Sequence, residues 1–318
     1  MDTRQVITLL NKAILKRQPL RSASNALRLV NGFGDEMDGL VLEQYDRHFV
    51  AQIMENEWHK HCPAILDLIK QTLASEYFIV KDRTVSASAE PGAFKSAVWL
   101  DGGSSQTNVN ENALSFNVDL NDGLNSGLFL DMRQNRARTA AFAKGRKVLN
   151  CFSYTCSFGV HCRAQGAASV VNVDVSRKSL DRGRKNYELN HLTAEQNEFI
   201  KADAVEYLAR AIKKDNRFDM IILDPPSFAR HEGKTFSVKN DLGPLIISAM
   251  KVLNPGGVIF VATNYSLMTH DSLADMITDG ANDRRIKNLE HLGQDTDFAG
   301  SGLMPESYLA AVLAVMDN

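Results

Sequence analysis

An α/β fold, with a parallel sheet covered by helices on both faces and a smaller α+β domain before it, is what this 318-residue sequence predicts. Two observations carry that expectation. From about residue 130 onward, short apolar runs alternate with stretches of helical spacing, the pattern of a parallel sheet whose crossovers are helices. The run Met220-Ile221-Ile222-Leu223 then stops at Asp224-Pro225-Pro226-Ser227-Phe228, as a buried strand stops at a rigid loop. The two prolines fix φ and remove two backbone donors, so the strand cannot run through them.

Taken in order, residues 1–25 read as a basic amphipathic helix with Val6, Leu9, Leu10, Ala13 and Ile14 on one side, followed by a Pro-Leu-Arg-Ser exit. Residues 26–115 form the small α+β domain, a candidate RNA or substrate domain. Its strands fall at Leu27–Val30, Gly39–Glu43 and Phe49–Ile53, with one helix at Ala64–Leu73. The polar stretch 101–106 reads as a linker. Residues 116–318 form the larger domain. A hairpin is expected around Asn121-Asp122-Gly123, between strands at Leu114–Leu120 and Gly127–Leu130. The alternating part has strands at Lys147–Cys151, Ser169–Asp174, Glu198–Lys201, Asp219–Leu223 and Gly257–Thr263. Helices lie at Asp131–Ala143, Phe158–Gln165, Arg177–Asn190, Ala204–Lys214 and Leu242–Leu253, and the run Ser307–Met316 supplies a last edge strand.

Composition narrows the class. With 44% apolar and 23% charged residues the chain has an ordinary globular make-up. It has no apolar stretch long enough for a membrane span and no signal-like N-terminus. Its four cysteines, Cys62, Cys151, Cys156 and Cys162, show neither zinc-type spacing nor a disulfide framework, so no metal is expected and a reducing, cytoplasmic setting suits them. The net charge of −2 hides an asymmetry: between Asp131 and Asn190 there are twelve Lys/Arg against four Asp/Glu, a candidate phosphate-binding face.

The chemistry-bearing residues sit where these strands end. The first strand of the large domain runs into Phe152-Ser153-Tyr154-Thr155-Cys156-Ser157, and the second ends in Asp174-Val175-Ser176. A loop after strand one and an acid after strand two are the nucleoside-binding layout of doubly wound sheets, the acid taking the ribose hydroxyls. The loop and the helix start beyond it have only Gly159, which is poor for a pyrophosphate but adequate for a nucleoside without phosphates such as S-adenosylmethionine. Asp203, beside Ala204 after the third strand, is placed for an adenine amine or to cap a helix. Asp224 can accept from an exocyclic amine and Phe228 can stack on a flat ring.

On GLFLDMRQNR, VLNCFSYTCSF, VNVDVSRKSLDRGRKNYELN, KADA and FDMIILDPPSF, the segment Gly127–Arg230 resembles the class I methyltransferases of the ribosomal RNA large subunit methyltransferase I family. RLVNGFGDEMDGLVLEQY, Arg28 to Tyr45, is similar to the start of that family's central α/β domain. The resemblance implies a Rossmann-like methyltransferase sheet, a 23S rRNA partner, and S-adenosylmethionine held by the Phe152–Phe158 loop, Asp174, Asp203 and Asp224, with Arg133 nearby.

Two departures are expected to matter. The family's PUA module would precede residue 25, where this chain has only its basic helix. The cytosine-C5 enzymes carry Ser-Cys-Ser just before Leu-Met-Thr, whereas here Asn264-Tyr265-Ser266 precedes Leu267-Met268-Thr269. Carbon 5 of a pyrimidine needs a thiolate added at carbon 6, and Asn264 cannot supply one. A base nitrogen needs mainly positioning. Asp224, Asn264 and Phe228 therefore point to nitrogen, and the arrangement resembles the guanine-modifying branch of these enzymes. The alternatives are cytosine-C5 chemistry, a protein or small-amine substrate, and a non-catalytic, cofactor-responsive RNA-binding protein. Monomer and homodimer both stay open.

Overall fold

The computed structural model describes residues 1–84, 95–231, 234–298, 300 and 309–318. Two compact units emerge: Met1–Arg133 with the segment that opens at Asp295, and Gln134–Gln294 with the C-terminal strand. The first of these units runs as far as Arg133 and the second opens at Gln134. Helix α1 (Thr3–Lys16) packs Val6, Leu10, Ala13 and Ile14 into the core of the first unit.

In the first unit, α1 is capped by Asp2, whose carboxylate accepts from Gln5 N at 2.8 Å. Strands β1 (Ala26–Asn31), β2 (Leu40–Tyr45) and β3 (His48–Ile53) lead through α2 (Cys62–Leu73) to β4 (Tyr77–Asp82) and β5 (Lys95–Leu100). The sheet runs β1-β2-β3-β4-β5, with only β3 and β4 parallel because α2 carries the chain back between them. Val6, Leu10 and Ile14 of α1 and Ile65 and Ile69 of α2 pack against Leu27, Leu29, Phe49, Ala51 and Phe78, one side of the pleat.

The hairpin lies earlier than the Asn121-Asp122-Gly123 turn suggested. Strands β6 (Gln106–Glu111) and β7 (Leu114–Asp119) meet at Asn112 and Ala113, both with positive φ (51° and 65°), as a type I′ turn demands. The expected linker 101–106 therefore ends inside β6, whose polar alternation disguised it. Gly127–Leu130 is not a strand and leads into a short 3-10 turn, Leu130–Met132.

The second unit contains α3 (Arg133–Ala140, opening at the boundary), β8 (Lys147–Cys151), α4 (Ser157–Ala164), β9 (Ser169–Asp174), α5 (Arg177–Leu189), β10 (Phe199–Lys201), α6 (Ala204–Lys213) and β11 (Phe218–Leu223). A hairpin β12 (Phe228–His231) and β13 (Lys234–Ser237) follows, then α7 (Val238–Val252), β14 (Leu253–Thr263), α8 (His270–Ala281), β15 (Ile286–Leu292) and β16 (Ala310–Met316). The sheet order is β10-β9-β8-β11-β14-β16-β15, parallel except for β16.

The C-terminal strand is thus not the edge: β16 lies between β14 and β15. Of the run Ser307–Met316, residues 307 and 308 lie outside the described residues. Leu149, Ile221, Leu223, Ile259 and Val261 face a layer built with Leu208, Leu242, Ile246, Leu273 and Ile277 of α6, α7 and α8. The alternate Val148, Met220, Ile222, Val258 and Phe260 are equally buried, as a sheet covered on both faces requires.

Candidate active site

Strand order reverses between β8 and β11, since β9 and β10 lie on one side of β8 and β11 and β14 on the other. In open α/β sheets, ligands bind outside the carboxyl ends of the strands at such a switch point. The second unit places there Phe152 to Thr155 after β8, Asp174 to Ser176 at the end of β9, Asp203 and Ala204 after β10, Asp224 after β11 and Asn264 after β14.

The loop after β8 is held in an unusual backbone form. Phe152, Tyr154 and Cys156 all have positive φ (56°, 47° and 60°), which costs a non-glycine residue of order 1–3 kcal/mol. Its hydrogen bonds over-determine it. Ser153 N donates to Val173 O at 3.0 Å, Cys156 N to Ser153 O at 2.7 Å, and Tyr154 N to Asp174 Oδ2 at 2.8 Å. From behind, Asn186 Nδ2 of α5 donates to Thr155 O at 2.9 Å. Gly183 leaves room for the loop: a Cβ there would sit 2.3 Å from Cys156 Sγ.

Asp174 accepts at each oxygen, from Tyr154 N and from Ser176 N, both at 2.8 Å. Ser176, not Asp174, caps α5, its side chain accepting from Ser179 N at 3.1 Å. Burial raises the Asp174 carboxyl above the usual carboxylate range, and the donated N–H groups of Ser176, Tyr154 and Val175 only partly offset it. Asp203 caps α6 through one oxygen, Oδ1, which accepts from Val205 N (2.9 Å) and Glu206 N (3.1 Å). Its Oδ2 accepts nothing among the described residues.

On the other side of the switch point, Leu223 pairs with Val261, so Asp224 and Asn264 leave adjacent parallel strands. Ser227 Oγ donates to Asn264 Oδ1 at 2.6 Å, joining the Asp-Pro-Pro loop to the end of β14. Phe228 is 54% exposed. Ser227 carries this junction, a role that its place in the motif did not reveal; Gly183, a glycine inside a helix, was the visible but unread signal for the loop's seat.

Arg133 is engaged by carboxylates of its own unit. It lies in the first unit, 1% exposed, with its fork held by Asp295 and by Asp297 (2.8 Å). Much of the basic surplus is likewise committed. Arg146 donates to Asp219 O and Gly256 O, Arg163 to Ala167 O and Ala168 O, Arg138 pairs with Glu290, and Arg184 pairs with Asp181 and lies over Phe199. Arg177, Lys178 and Lys185 stay exposed on α5.

Residues 69–313 match the family model for S-adenosylmethionine-dependent methyltransferases. This chain belongs to that family. Within it, the chain is related to ribosomal RNA large subunit methyltransferase I: the Tolumonas auensis protein of that name is 31% identical across 99% of this chain and 81% of its own length. The Shewanella frigidimarina protein is 31% identical across 88% and 72%. Among solved structures, the methyltransferase SMU.776 in complex with S-adenosylhomocysteine superposes with a TM-score of 0.87 at 28% identity, covering 99% of this chain and 82% of that one. An S-adenosylmethionine-dependent methyltransferase from Streptococcus mutans gives 0.84 at 27%, covering 99% and 82%. The sheet order and its single reversed strand are those of a Rossmann-like class I methyltransferase core, and the protein is an S-adenosylmethionine-dependent enzyme.

The residues fit that cofactor. A desolvated carboxylate at Asp174 keeps lone pairs beyond those used by the Tyr154, Ser176 and Val175 N–H groups, and hydroxyl donors would relieve its raised pKa. The loop lacks the glycines that would admit a pyrophosphate. Among the described residues there is no group of His, Cys, Asp and Glu fit for a metal ion, and no helix long and apolar enough to cross a membrane.

Proposed function

We propose that the protein methylates a nitrogen of a base in RNA, specifically in 23S rRNA of the large ribosomal subunit. The observation that carries this reading is the Ser227–Asn264 hydrogen bond beside Asp224, which puts an oriented amide where a thiol-dependent enzyme needs cysteine. With Oδ1 taken by the Ser227 hydroxyl, the Asn264 Nδ2 group is turned to donate, while the Asp224 carboxylate accepts. A donor beside an acceptor matches a purine edge, and Phe228 supplies the stacking face that an unstacked base requires.

S-adenosylmethionine, when bound, supplies an electrophilic methyl on its sulfonium. For the chain itself, Asp174 holds the ribose hydroxyls, Asp203 Oδ2 meets the adenine amine, and Phe152 to Thr155 with Val175, Ser176 and Ala204 wall the nucleoside. Asp224 borders both ligands. Arg133 is left out, because its guanidinium is spent on Asp295 and Asp297.

A cysteine nucleophile is disfavoured by the same structure. All four thiols are free and buried. Burial pushes Cys62 up to about 11 and Cys162 up to about 12, and raises Cys151 and Cys156 further. Thiolates are the reactive form, so these thiols are inert at neutral pH. Reduced, buried thiols also favour a cytoplasmic location. The names of the relatives support ribosomal RNA as the substrate class.

Mass spectrometry of rRNA nucleosides from cells with and without the protein tests this reading. One N-methylated purine should disappear and return on complementation. Loss of a C5-methylated pyrimidine instead, with a stable adduct on fluoropyrimidine RNA that vanishes when Cys151, Cys156 or Cys162 is replaced, would restore the cytosine reading.

A further inference from the structure

The hairpin β12–β13 follows the Asp-Pro-Pro loop directly, and it has two differently used faces. Phe228 pairs with Ser237 and Ala229 with Phe236. Successive residues of a strand point to opposite faces, so Phe228 and Phe236 lie on opposite sides of one two-stranded plate. Phe228 is the exposed ring assigned above to the target base. On the other side, the Phe236 ring meets the Phe152 ring, with centroids 5.5 Å apart and planes at 47°. Phe152 is the first residue of the cofactor loop, one of the three held at positive φ.

The base of the plate is tied at both ends. Val238 N donates to Ser227 O at 3.1 Å, and Ser227 Oγ donates to Asn264. A base pressed on Phe228 therefore loads a short, pinned element whose far face rests on the cofactor loop. A ligand that orders one partner of such a contact lowers the entropy cost for the ligand on the other.

We propose that Phe236 is a positioning residue that makes cofactor and target-base binding mutually dependent, by carrying contact from the hairpin to the loop at Phe152. The inference rests on the RNA reading above. Coupling between two sites is reciprocal, so RNA must tighten the cofactor product by the same factor that the product tightens RNA.

The test is a thermodynamic cycle by calorimetry. S-adenosylhomocysteine is titrated into the full chain alone and into the chain saturated with an unmodified 23S rRNA transcript. The wild-type protein should bind about 5-fold more tightly in the presence of RNA, at the lower end of ordinary coupling factors. Phe236→Ala should reduce that ratio to less than about 2-fold while still binding each ligand separately. Phe236→Leu keeps apolar volume but loses the ring, and should give the same reduced ratio if the alanine variant proves unfolded. A ratio of about 5 retained in both variants, with weaker S-adenosylhomocysteine binding in each state, would make Phe236 merely structural and overturn the proposal. A wild-type ratio of 1 with RNA bound would also overturn it, and would leave the RNA reading standing. Absence of RNA binding by the wild-type protein would remove the RNA reading and this inference together.

Discussion

The two sides of the switch point are built differently. Around β8, β9 and β10, side-chain carboxylates are fastened to backbone N–H groups, the loop is pinned from behind by Asn186, and strain is held in place by packing. Around β11 and β14, Ser227 donates to Asn264 across the junction, and the neighbouring groups Phe228 and Leu267 stand 54% and 76% exposed. The first side is preorganised for a small ligand it must hold alone. The second presents aromatic and apolar surface to solvent, which a larger partner can cover.

The largest expected effect tests where the cofactor side ends. Arg133→Ala leaves Asp295 and Asp297 facing each other in a buried site, and breaking such a pair costs about 3–5 kcal/mol. Denaturant unfolding should show that loss, while calorimetry on the folded fraction should find S-adenosylhomocysteine affinity near wild type. A tenfold fall in affinity would return Arg133 to the cofactor site that the family resemblance implied.

Next in size is Asp174→Ala, which removes two acceptors from the loop and the proposed ribose contacts. Bonds to a charged partner are worth roughly 1.5–3 kcal/mol, so affinity should fall by about one to two orders of magnitude. The pH dependence follows from the raised Asp174 carboxyl. In the ligand-free protein its contribution to stability is full below the unfolded carboxylate value and is lost as pH rises through the folded one. Hydroxyl donors favour the ionised form, so the sign for binding is opposite. Affinity is full above the folded value and weakens as pH falls through it, with proton release on binding. Titrations in two buffers of different ionisation enthalpy read that release; affinity flat across the acidic range would detach Asp174 from the ribose.

The smallest effect belongs to the open side. Phe228→Ala should slow turnover of RNA by the worth of one stacked base, about 1–3 kcal/mol. Its melting temperature and cofactor affinity should stay unchanged, since an exposed ring supports little of the fold. A loss of cofactor affinity in the RNA-free variant would show that Phe228 supports the cofactor loop directly, and not only through a bound base and Phe236.

What could be read in the sequence follows the same contrast. Strands β8, β9 and β11 announce themselves because sheet strands buried on both faces are continuous apolar runs. The acids after them were found because strand ends are sharp. The hairpin β12–β13 was not, since four-residue strands with no apolar run carry no periodicity to count, and Phe236 was missed with it. Strand β15, Ile-Lys-Asn-Leu-Glu-His-Leu, is half polar and was passed over, which is why β16 looked like an edge. Arg133 shows a different limit: its motif was visible, but its partners Asp295 and Asp297 lie far along the chain.

The place of β16 has a consequence for how the enzyme is made. This strand leaves the ribosome after every other strand of its sheet, yet among the described residues it is the strand that pairs with β14 on that side and the one that pairs with β15. At about 5–20 residues per second, the stretch between Thr263 and Ala310 takes roughly 2–10 s to synthesise. Throughout that interval the apolar edge Val258-Ile259-Phe260-Val261 has no neighbour, and an unpaired apolar edge is a template for other chains. The nascent protein therefore depends on chaperone cover or dilution at a defined moment, and a stop codon that removed only β16 would yield aggregate rather than a weakened enzyme.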